Sequence, residues 1–289
     1  MKIRMGYEII YNCPVNTSMI FMLHAQPHAG QRMLLPDRLS TLPSLPLTSY
    51  RDGYGNPCTR LEAPAGMVCV TADGLFEDSG LPEPSVLNAP ETAIGALPHE
   101  ALMYLLPSRY CESDLIAIEA FRLFGQSAPG WPRVQSICDF VNRHVAFGYQ
   151  YARATRTALE TYRERRGVCR DLAHLAIAFC RAMNIPARYV TSYLGDIGVP
   201  AADSPMDFAG SIEVYLGNAW HSFDPRNNAR RIGRMTIARG RDAADVAIST
   251  TFGQAWLQKF RVWTDEIDDA AAADLMRQRR LGGFAAQAA

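Results

Sequence analysis

Cys169 has the clearest chemical potential in this sequence, because it stands at the start of a predicted helix. The surrounding residues 165–174 read RRGVCRDLAH, and apolar residues then recur every three or four positions as far as Met183. Unpaired backbone N–H groups and the positive end of the helix dipole favour a thiolate, so we expect a lowered pKa for this thiol. The same N–H groups can stabilise an oxyanion. A buried cysteine that merely packs against a helix end is the alternative.

Several further elements are predicted around this helix. Residues 157–160 read TALE, a capping box that starts a short helix ending near Gly167, and a longer helix is predicted from Trp131 to about His144. Strands are predicted over 187–194, 212–216 and 220–223, the last two joined at Gly217-Asn218 by a hairpin turn, with later strands over 245–250 and 257–263. The segment that carries Cys169 is therefore predicted to lie on a helix that precedes a sheet.

The N-terminal part of the chain has a different pattern. Residues 1–95 contain short β-prone runs separated by Gly- and Pro-rich turns, and several prolines between 81 and 97 indicate a link between domains. We predict an α+β protein with three segments. They are an N-terminal β-sandwich-like domain (1–95), a helix-and-sheet core (96–235), and C-terminal strands with a tail that completes or bridges the core (236–289).

Composition limits the classes of partner. The 289 residues are 48% apolar and 20% charged with zero formal net charge, which predicts a globular protein and disfavours nucleic acid or anionic lipid as a partner. The sequence contains neither an apolar run of roughly 18 residues nor an N-terminal signal pattern, so we expect a cytoplasmic protein without membrane association. Seven scattered cysteines without a C-x-x-C pair, and the absence of a phosphate-binding glycine motif, predict neither metal nor cofactor.

Three stretches together resemble the transglutaminase-like family, especially its bacterial members named as cysteine proteases. They are residues 167–174 (GVCRDLAH), 184–190 (NIPARYV) and 213–225 (EVYLGNAWHSFDP). Residues 52–56 (DGYGN) and 64–66 (PAG) are similar to the β domain that often precedes that core. The resemblance covers most of the chain. It implies a papain-like core in which a cysteine-bearing helix packs on an antiparallel sheet, and a peptide or protein as substrate.

The resemblance assigns two of the three members of a catalytic triad. Cys169 matches the nucleophile, and Asp224 matches the acid that orients a histidine. The family's histidine opens the stretch that corresponds to residues 209–213 (AGSIE), so Ala209 occupies its position. The general base is therefore missing from its usual place.

Other residues are candidates for the vacant role or for supporting roles. His221 is near Asp224 in sequence, but strand alternation places the two on opposite faces unless a bulge intervenes. His174 lies about 140° around the helix from Cys169, and His144 ends the preceding helix. Tyr149 matches a region where the fold can supply a second oxyanion donor, although a core tyrosine is the commoner case.

Three hypotheses follow. In the first, Cys169 attacks an amide or peptide carbonyl, and the resulting thioester passes to water or an amine. In the second, the protein is a pseudoenzyme that binds peptide or protein without turnover, because Ala209 replaces the base. In the third, the protein has a structural role only. Loss of a general base costs roughly 10²–10⁴ in rate, which weakens the first hypothesis without excluding it, because thiols need less activation than hydroxyls.

Overall fold

The computed structural model describes residues 1–28, 30–200 and 205–287. Its N-terminal part is built from seven strands: β1 (Lys2–Cys13), β2 (Thr17–Phe21), β3 (Arg32–Leu35), β4 (Ser40–Leu42), β5 (Thr48–Arg51), β6 (Pro57–Ala63) and β7 (Gly66–Glu77). In β1 every second residue from Ile3 to Tyr11 is buried, as expected for a strand with one face in a core. Tyr11 packs against Phe21 of β2, with ring centroids 6.3 Å apart. The strands of this part lie in two sheets, as the predicted fold class requires.

The middle of the chain supplies most of the helices and the central sheet. The elements are α1 (His99–Leu102), α2 (Ala117–Phe124), α3 (Trp131–His144), β8 (Ala146–Phe147), α4 (Ala158–Glu164), β9 (Arg166–Gly167), α5 (Cys169–Ala182), β10 (Ala187–Tyr193), β11 (Ala209–Leu216), β12 (Ala219–Phe223) and β13 (Met235–Gly240). The last four strands form an antiparallel sheet in the order β12-β11-β10-β13. Helix α5 packs on β10 and β11 of this sheet.

Local sequence signals explain these boundaries. Thr157 and Glu160 form the predicted reciprocal capping box at the start of α4. That helix ends at Glu164, before the predicted Gly167, because Arg165 adopts a left-handed conformation with φ of 54°. Gly217 and Asn218 have φ of 55° and 66°, the values of a two-residue turn whose twist suits a hairpin.

The C-terminal segment returns to the N-terminal domain. Two strands and a helix complete the chain: β14 (Ser249–Phe252), β15 (Trp256–Ile267) and α6 (Asp269–Gln287). β14 pairs with β2, and β15 runs antiparallel to β1 along nearly its whole length. Of the segment 236–289, β13 therefore extends the core sheet, whereas β14 and β15 extend the two N-terminal sheets. Among the described residues, no helix is long and apolar enough to cross a membrane.

Candidate active site

A buried carboxylate fixes the turn that presents Cys169. Asp171 is fully buried, and its Oδ2 accepts the backbone N–H of Val168 at 3.0 Å and pairs with Arg156 Nη1 at 3.0 Å. Its Oδ1 pairs with Arg170 Nη2 at 3.0 Å. A Cβ atom at Gly167 would lie 2.7 Å from the Asp171 Cβ, so this close approach requires glycine. The carboxylate thereby ties the residue before α5 to the first turn of the helix.

Cys169 lies where two cavities meet. One cavity has a volume of about 500 Å³, and we call it the polar cavity because its walls include charged residues such as Asp224 and Arg226. The other has about 470 Å³ and largely apolar walls that include Val246 and Ile248. Volumes of this order suit small ligands or side chains of a peptide. Six residues line both cavities: Tyr149, Cys169, Asp207, Phe208, Ala209 and Gly210.

The pKa of the Cys169 thiol is higher than its position at a helix start suggests. Burial raises the pKa of Cys169 above its usual value, and the charge of Asp207 acts in the same direction. The backbone N–H groups of Gly210 and Arg170, together with the guanidinium of Arg226, act in the opposite direction. The expectation of a lowered pKa is therefore corrected, because desolvation of a thiolate outweighs the helix start.

His221 is directed to other partners. Its Nε2 lies 3.1 Å from the backbone oxygen of Leu216, and its ring packs edge-on against Trp131 at 5.5 Å. The hydrogen bonds to the Asp224 carboxylate come instead from Asn227 and Arg234. Strand alternation thus separates His221 from Asp224 as predicted, and His221 is not placed to act as the base for Cys169.

The remaining histidines also lie elsewhere. His144 Nε2 lies 2.8 Å from the backbone oxygen of Tyr162. His174 is fully buried, and its Nε2 accepts the backbone N–H of Ala243 at 3.1 Å. Burial holds the pKa of His174 well below its usual value, so this imidazole is neutral. None of the six histidines, all of which lie in the described part of the chain, lines either cavity at Cys169: His24, His28, His99, His144, His174 and His221.

Asp224 lines the polar cavity, but its oxygens are already engaged. Oδ2 pairs with Arg234 Nη2 at 3.0 Å and accepts Asn227 Nδ2 at 2.9 Å, while Oδ1 accepts the Asn227 backbone N–H at 3.0 Å. Burial opposes ionisation, but Arg234 and Asn227 together hold the pKa of this carboxyl below its usual value. Arg234 also pairs with Glu83 at 2.6 Å. Asp224 therefore anchors the loop after β12 rather than a histidine.

Tyr149 begins a short 3₁₀ segment (Tyr149–Tyr151) after β8 and is partly exposed to both cavities. Burial, together with the charges of Cys169 and Asp207, raises the pKa of its hydroxyl, and Arg226 opposes this. The hydroxyl is therefore protonated at neutral pH and available as a donor. Its assignment as an oxyanion donor stays a prediction.

Asp207 and Arg226 are site residues that sequence reasoning missed. Asp207 precedes β11 by two residues, and Arg226 immediately follows the Phe-Asp-Pro stretch at 223–225. The Arg226 guanidinium lies 3.9 Å from the centroid of the Phe147 ring. Their proximity to the motif positions 209 and 224 was the available signal. In the described residues, no three His, Cys, Asp or Glu side chains are grouped to hold a metal ion.

Comparison with known proteins agrees with this architecture. The sequence profile of the "Transglutaminase-like superfamily" matches residues 121–225. A crystal structure from Cytophaga hutchinsonii, described as a "Putative Cysteine Protease", is 30% identical with a TM-score of 0.80, over 93% of this chain and 91% of that chain. The chain belongs to the transglutaminase-like superfamily. The resemblance inferred from residues 167–225 and the predicted fold class are both confirmed.

Two curated mycobacterial relatives extend across much of this transglutaminase-like chain. A protein of Mycobacterium leprae is 24% identical over 253 residues, covering 84% of this chain and 88% of its own length. A protein of Mycobacterium tuberculosis is 29% identical over 229 residues, covering 69% of each chain. Both carry the description "Uncharacterized protein", so their similarity adds no information about substrate.

The ion pair between Asp224 and Arg234 gives a first prediction. We expect Asp224→Asn to lower the free energy of unfolding by roughly 1–3 kcal/mol at pH 7, because it removes one of the two carboxylates that pair with the buried Arg234 guanidinium and leaves Glu83 as the other. Because the folded-state pKa of Asp224 is lowered from its usual value, the ionised carboxylate stabilises the fold fully above the unfolded-state pKa, and this contribution is lost as the pH falls through the folded-state pKa. In urea denaturation, the difference in free energy of unfolding between Asp224→Asn and wild type should therefore become smaller below about pH 4.

Asp139→Asn is the matched control for that measurement. The Asp139 carboxylate accepts hydrogen bonds from the side-chain amides of Gln135 and Asn228, each at 2.8 Å. The same change at this position should therefore cost much less. Equal losses for the two variants would contradict an anchoring role for Asp224.

The Cys169 thiol gives a second prediction. The rate at which iodoacetamide alkylates Cys169 can be measured at a series of pH values from the masses of its peptides. The midpoint of this rate profile should lie above the pKa of about 8.5 that a free thiol has. Burial and the nearby Asp207 carboxylate are the causes. Glutathione in the same solution serves as the reference. A midpoint below pH 7 would mean that the helix start dominates after all.

Proposed function

We propose that this transglutaminase-like protein is a cysteine-dependent acyl-transfer enzyme that acts on amide or peptide bonds through a thioester on Cys169. The observation that carries the proposal is the position of Cys169, partly exposed where two cavities meet and faced by the backbone N–H groups of Gly210 and Arg170. A thiol that only packed a helix end would not need access to two cavities.

The surrounding groups support formation of a tetrahedral intermediate. Backbone N–H groups at Gly210 and Arg170 are donors near the reacting sulfur, and we propose the protonated Tyr149 hydroxyl as a third donor. A single donor of this kind typically contributes about 10²–10³ in rate. A Cβ at Gly210 would overlap the Tyr189 hydroxyl, so glycine is needed where this backbone passes close to the site.

The substrate class follows from the cavities and from the solved relative. The apolar cavity, with Val246, Ala247 and Ile248 in its wall, suits an aliphatic or aromatic side chain of a peptide. The Cytophaga hutchinsonii protein is described as a "Putative Cysteine Protease", which supports hydrolysis rather than transfer to an amine. We therefore propose a peptide or protein as substrate, with water as the usual acyl acceptor.

We also propose a cytoplasmic location for this protein. All seven cysteines are free. Free thiols suit a reducing compartment, which supports a cytoplasmic location. Zero formal net charge offers no electrostatic attraction for nucleic acid or anionic membrane, so we propose neither as a partner.

Replacement of the nucleophile tests the proposal. We expect Cys169→Ser to reduce release of p-nitroaniline from peptide p-nitroanilides to the uncatalysed rate, because a hydroxyl at this position lacks the activation that it needs. The melting temperature should stay nearly unchanged. Cys69→Ser is the control, since Cys69 is also partly exposed but lies on β7. Turnover that survives in Cys169→Ser would contradict the mechanism.

A binding-only role is the second candidate, and one observation favours it. Ala209 occupies the position of the superfamily's histidine, and no histidine lines either cavity in the described part of the chain. In that case the protein is a pseudoenzyme that uses the same cavities to hold a peptide.

Restoring the imidazole separates these two candidates. If the cavities are arranged for catalysis, Ala209→His should raise both iodoacetamide labelling of Cys169 at pH 7 and p-nitroanilide turnover, because an imidazole beside the thiol favours ion-pair formation. Ala209→Asn controls for the added bulk. If the labelling rate of Cys169 and the turnover are both unchanged in Ala209→His, the binding-only role is favoured.

A further inference from the structure

Asp207 and Cys169 both line the two cavities of the site. It is the second residue before Ala209, so it enters the site from the segment that brings the histidine in the superfamily pattern. Three carboxylates line these cavities, and Asp207 is the one that lines both, whereas Asp196 and Asp224 line the polar cavity alone. Its charge adds to burial in raising the pKa of Cys169. Asp207 therefore occupies the neighbourhood from which the usual base is missing.

The backbone at Asp207 is held firmly by the residue that follows. The buried Phe208 ring packs against rings from three different strands: Tyr193 of β10 at 5.2 Å, Phe260 of β15 at 5.8 Å and Tyr7 of β1 at 6.4 Å. These contacts connect the site to the N-terminal domain and to the C-terminal strand. They give Asp207 the fixed position that a proton-transfer group requires.

The Asp207 carboxylate retains free acceptor capacity. Its Oδ1 accepts the backbone N–H of Phe208 at 2.7 Å, and no other described residue donates a hydrogen bond to it. Asp224, by contrast, is held by Arg234 and Asn227. A carboxylate can accept roughly four hydrogen bonds, so Asp207 is the site carboxylate that is open to exchange a proton.

Acidic side chains and one cation interact electrostatically with Asp207. Cys169, Tyr149 and Tyr189 face it as acids, and Arg226 faces it as a cation. Burial raises the pKa of the Asp207 carboxyl, and Arg226 moderates this. A thiolate and a carboxylate side by side repel each other, whereas one negative charge on the pair is balanced by Arg226. Tyr189 is excluded as a base because burial raises the pKa of its hydroxyl far above neutrality.

We propose that Asp207 replaces the missing histidine as the group that accepts and returns the proton of Cys169, with Arg226 balancing the negative charge that the two residues share. This inference rests on the proposed acyl-transfer function and deepens it. It also accounts for an active site in which the nucleophile and its helix persist while position 209 is alanine.

The proton balance is as follows. The Cys169 sulfur bonds to the substrate carbonyl carbon as its proton passes to the Asp207 carboxylate. The tetrahedral oxyanion collapses, the C–N bond breaks, and the leaving amine takes the proton from Asp207. Water then attacks the thioester and gives a proton to Asp207, the C–S bond breaks, and the carboxyl returns that proton to the sulfur. Each group ends as it began, and the net reaction is amide hydrolysis.

The test uses Asp207→Asn and two measurements that should move in opposite directions. Turnover of peptide p-nitroanilides should fall by about 10²–10⁴, the usual contribution of a general acid–base. Iodoacetamide labelling of Cys169 at pH 7 should become faster, because removing the Asp207 charge lowers the pKa of the thiol. A residue that only supported the fold would not slow turnover while exposing a more reactive thiol.

Two further variants keep this test sharp. Asp114→Asn removes an exposed carboxylate that lines neither cavity and should change neither measurement by more than about threefold. Asp207→Glu retains the carboxylate and should recover part of the turnover. The inference is overturned if the turnover of Asp207→Asn stays within threefold of wild type. It is also overturned if both turnover and the rate of Cys169 labelling fall in Asp207→Asn and Asp207→Glu recovers no turnover.

Leaving-group dependence tests the acid half of the cycle. p-Nitrophenolate leaves without a proton, so Asp207→Asn should lose less activity toward a p-nitrophenyl ester than toward the p-nitroanilide of the same acyl group. Equal losses for both substrates overturn the acid role. A different result would reject the proposed function itself, namely p-nitroanilide turnover that persists in Cys169→Ser. Loss of activity in Cys169→Ser combined with full activity in Asp207→Asn rejects only the role of Asp207.

Discussion

The geometry of the site depends on one buried carboxylate, that of Asp171. It lies between the guanidinium groups of Arg156 and Arg170 and also binds the backbone N–H of Val168. An unpaired charge at this depth would be strongly destabilising, so the two arginines and the helix start must assemble together. Arg170 is also the residue whose backbone N–H faces the Cys169 thiol. The network that neutralises the buried charge thus also sets the position of the nucleophile.

The second half of the site comes from the strand and loop side. Asp207 is positioned by Phe208, and Arg226 by the loop that Asp224 anchors to Arg234. Asp224 thereby keeps a positioning task although the histidine it would orient is absent. Burial, together with the charge of Asp207, raises the pKa of Cys169 and keeps the resting thiol protonated. Such a site would react slowly with adventitious electrophiles at neutral pH.

The sequence predicts well whatever depends on local chemistry. The start of α5 at Cys169, the capping box at Thr157 and the turn at Gly217 are set by residues within one turn of each other, and the structure has all three. Superfamily motifs likewise located Cys169 and Asp224. Asp207 and Arg226 were missed because their importance arises from tertiary contacts that no periodic pattern encodes. The raised pKa of Cys169 was missed for the same reason, since burial is a property of the assembled cavities.

The pairing of β15 with β1 has a consequence for the order of assembly. These two strands lie at opposite ends of the chain, with Lys2 opposite Ile267, so their ladder is among the most non-local contacts that the fold contains. During synthesis, β1 keeps one edge open until residues near 267 leave the ribosome, and long-range pairing of this kind forms slowly. Phe260 of the same late strand packs against Phe208. The aromatic support behind Asp207 is therefore completed only after Phe260 has been synthesised, so a shorter nascent chain carries Cys169 without a finished active site.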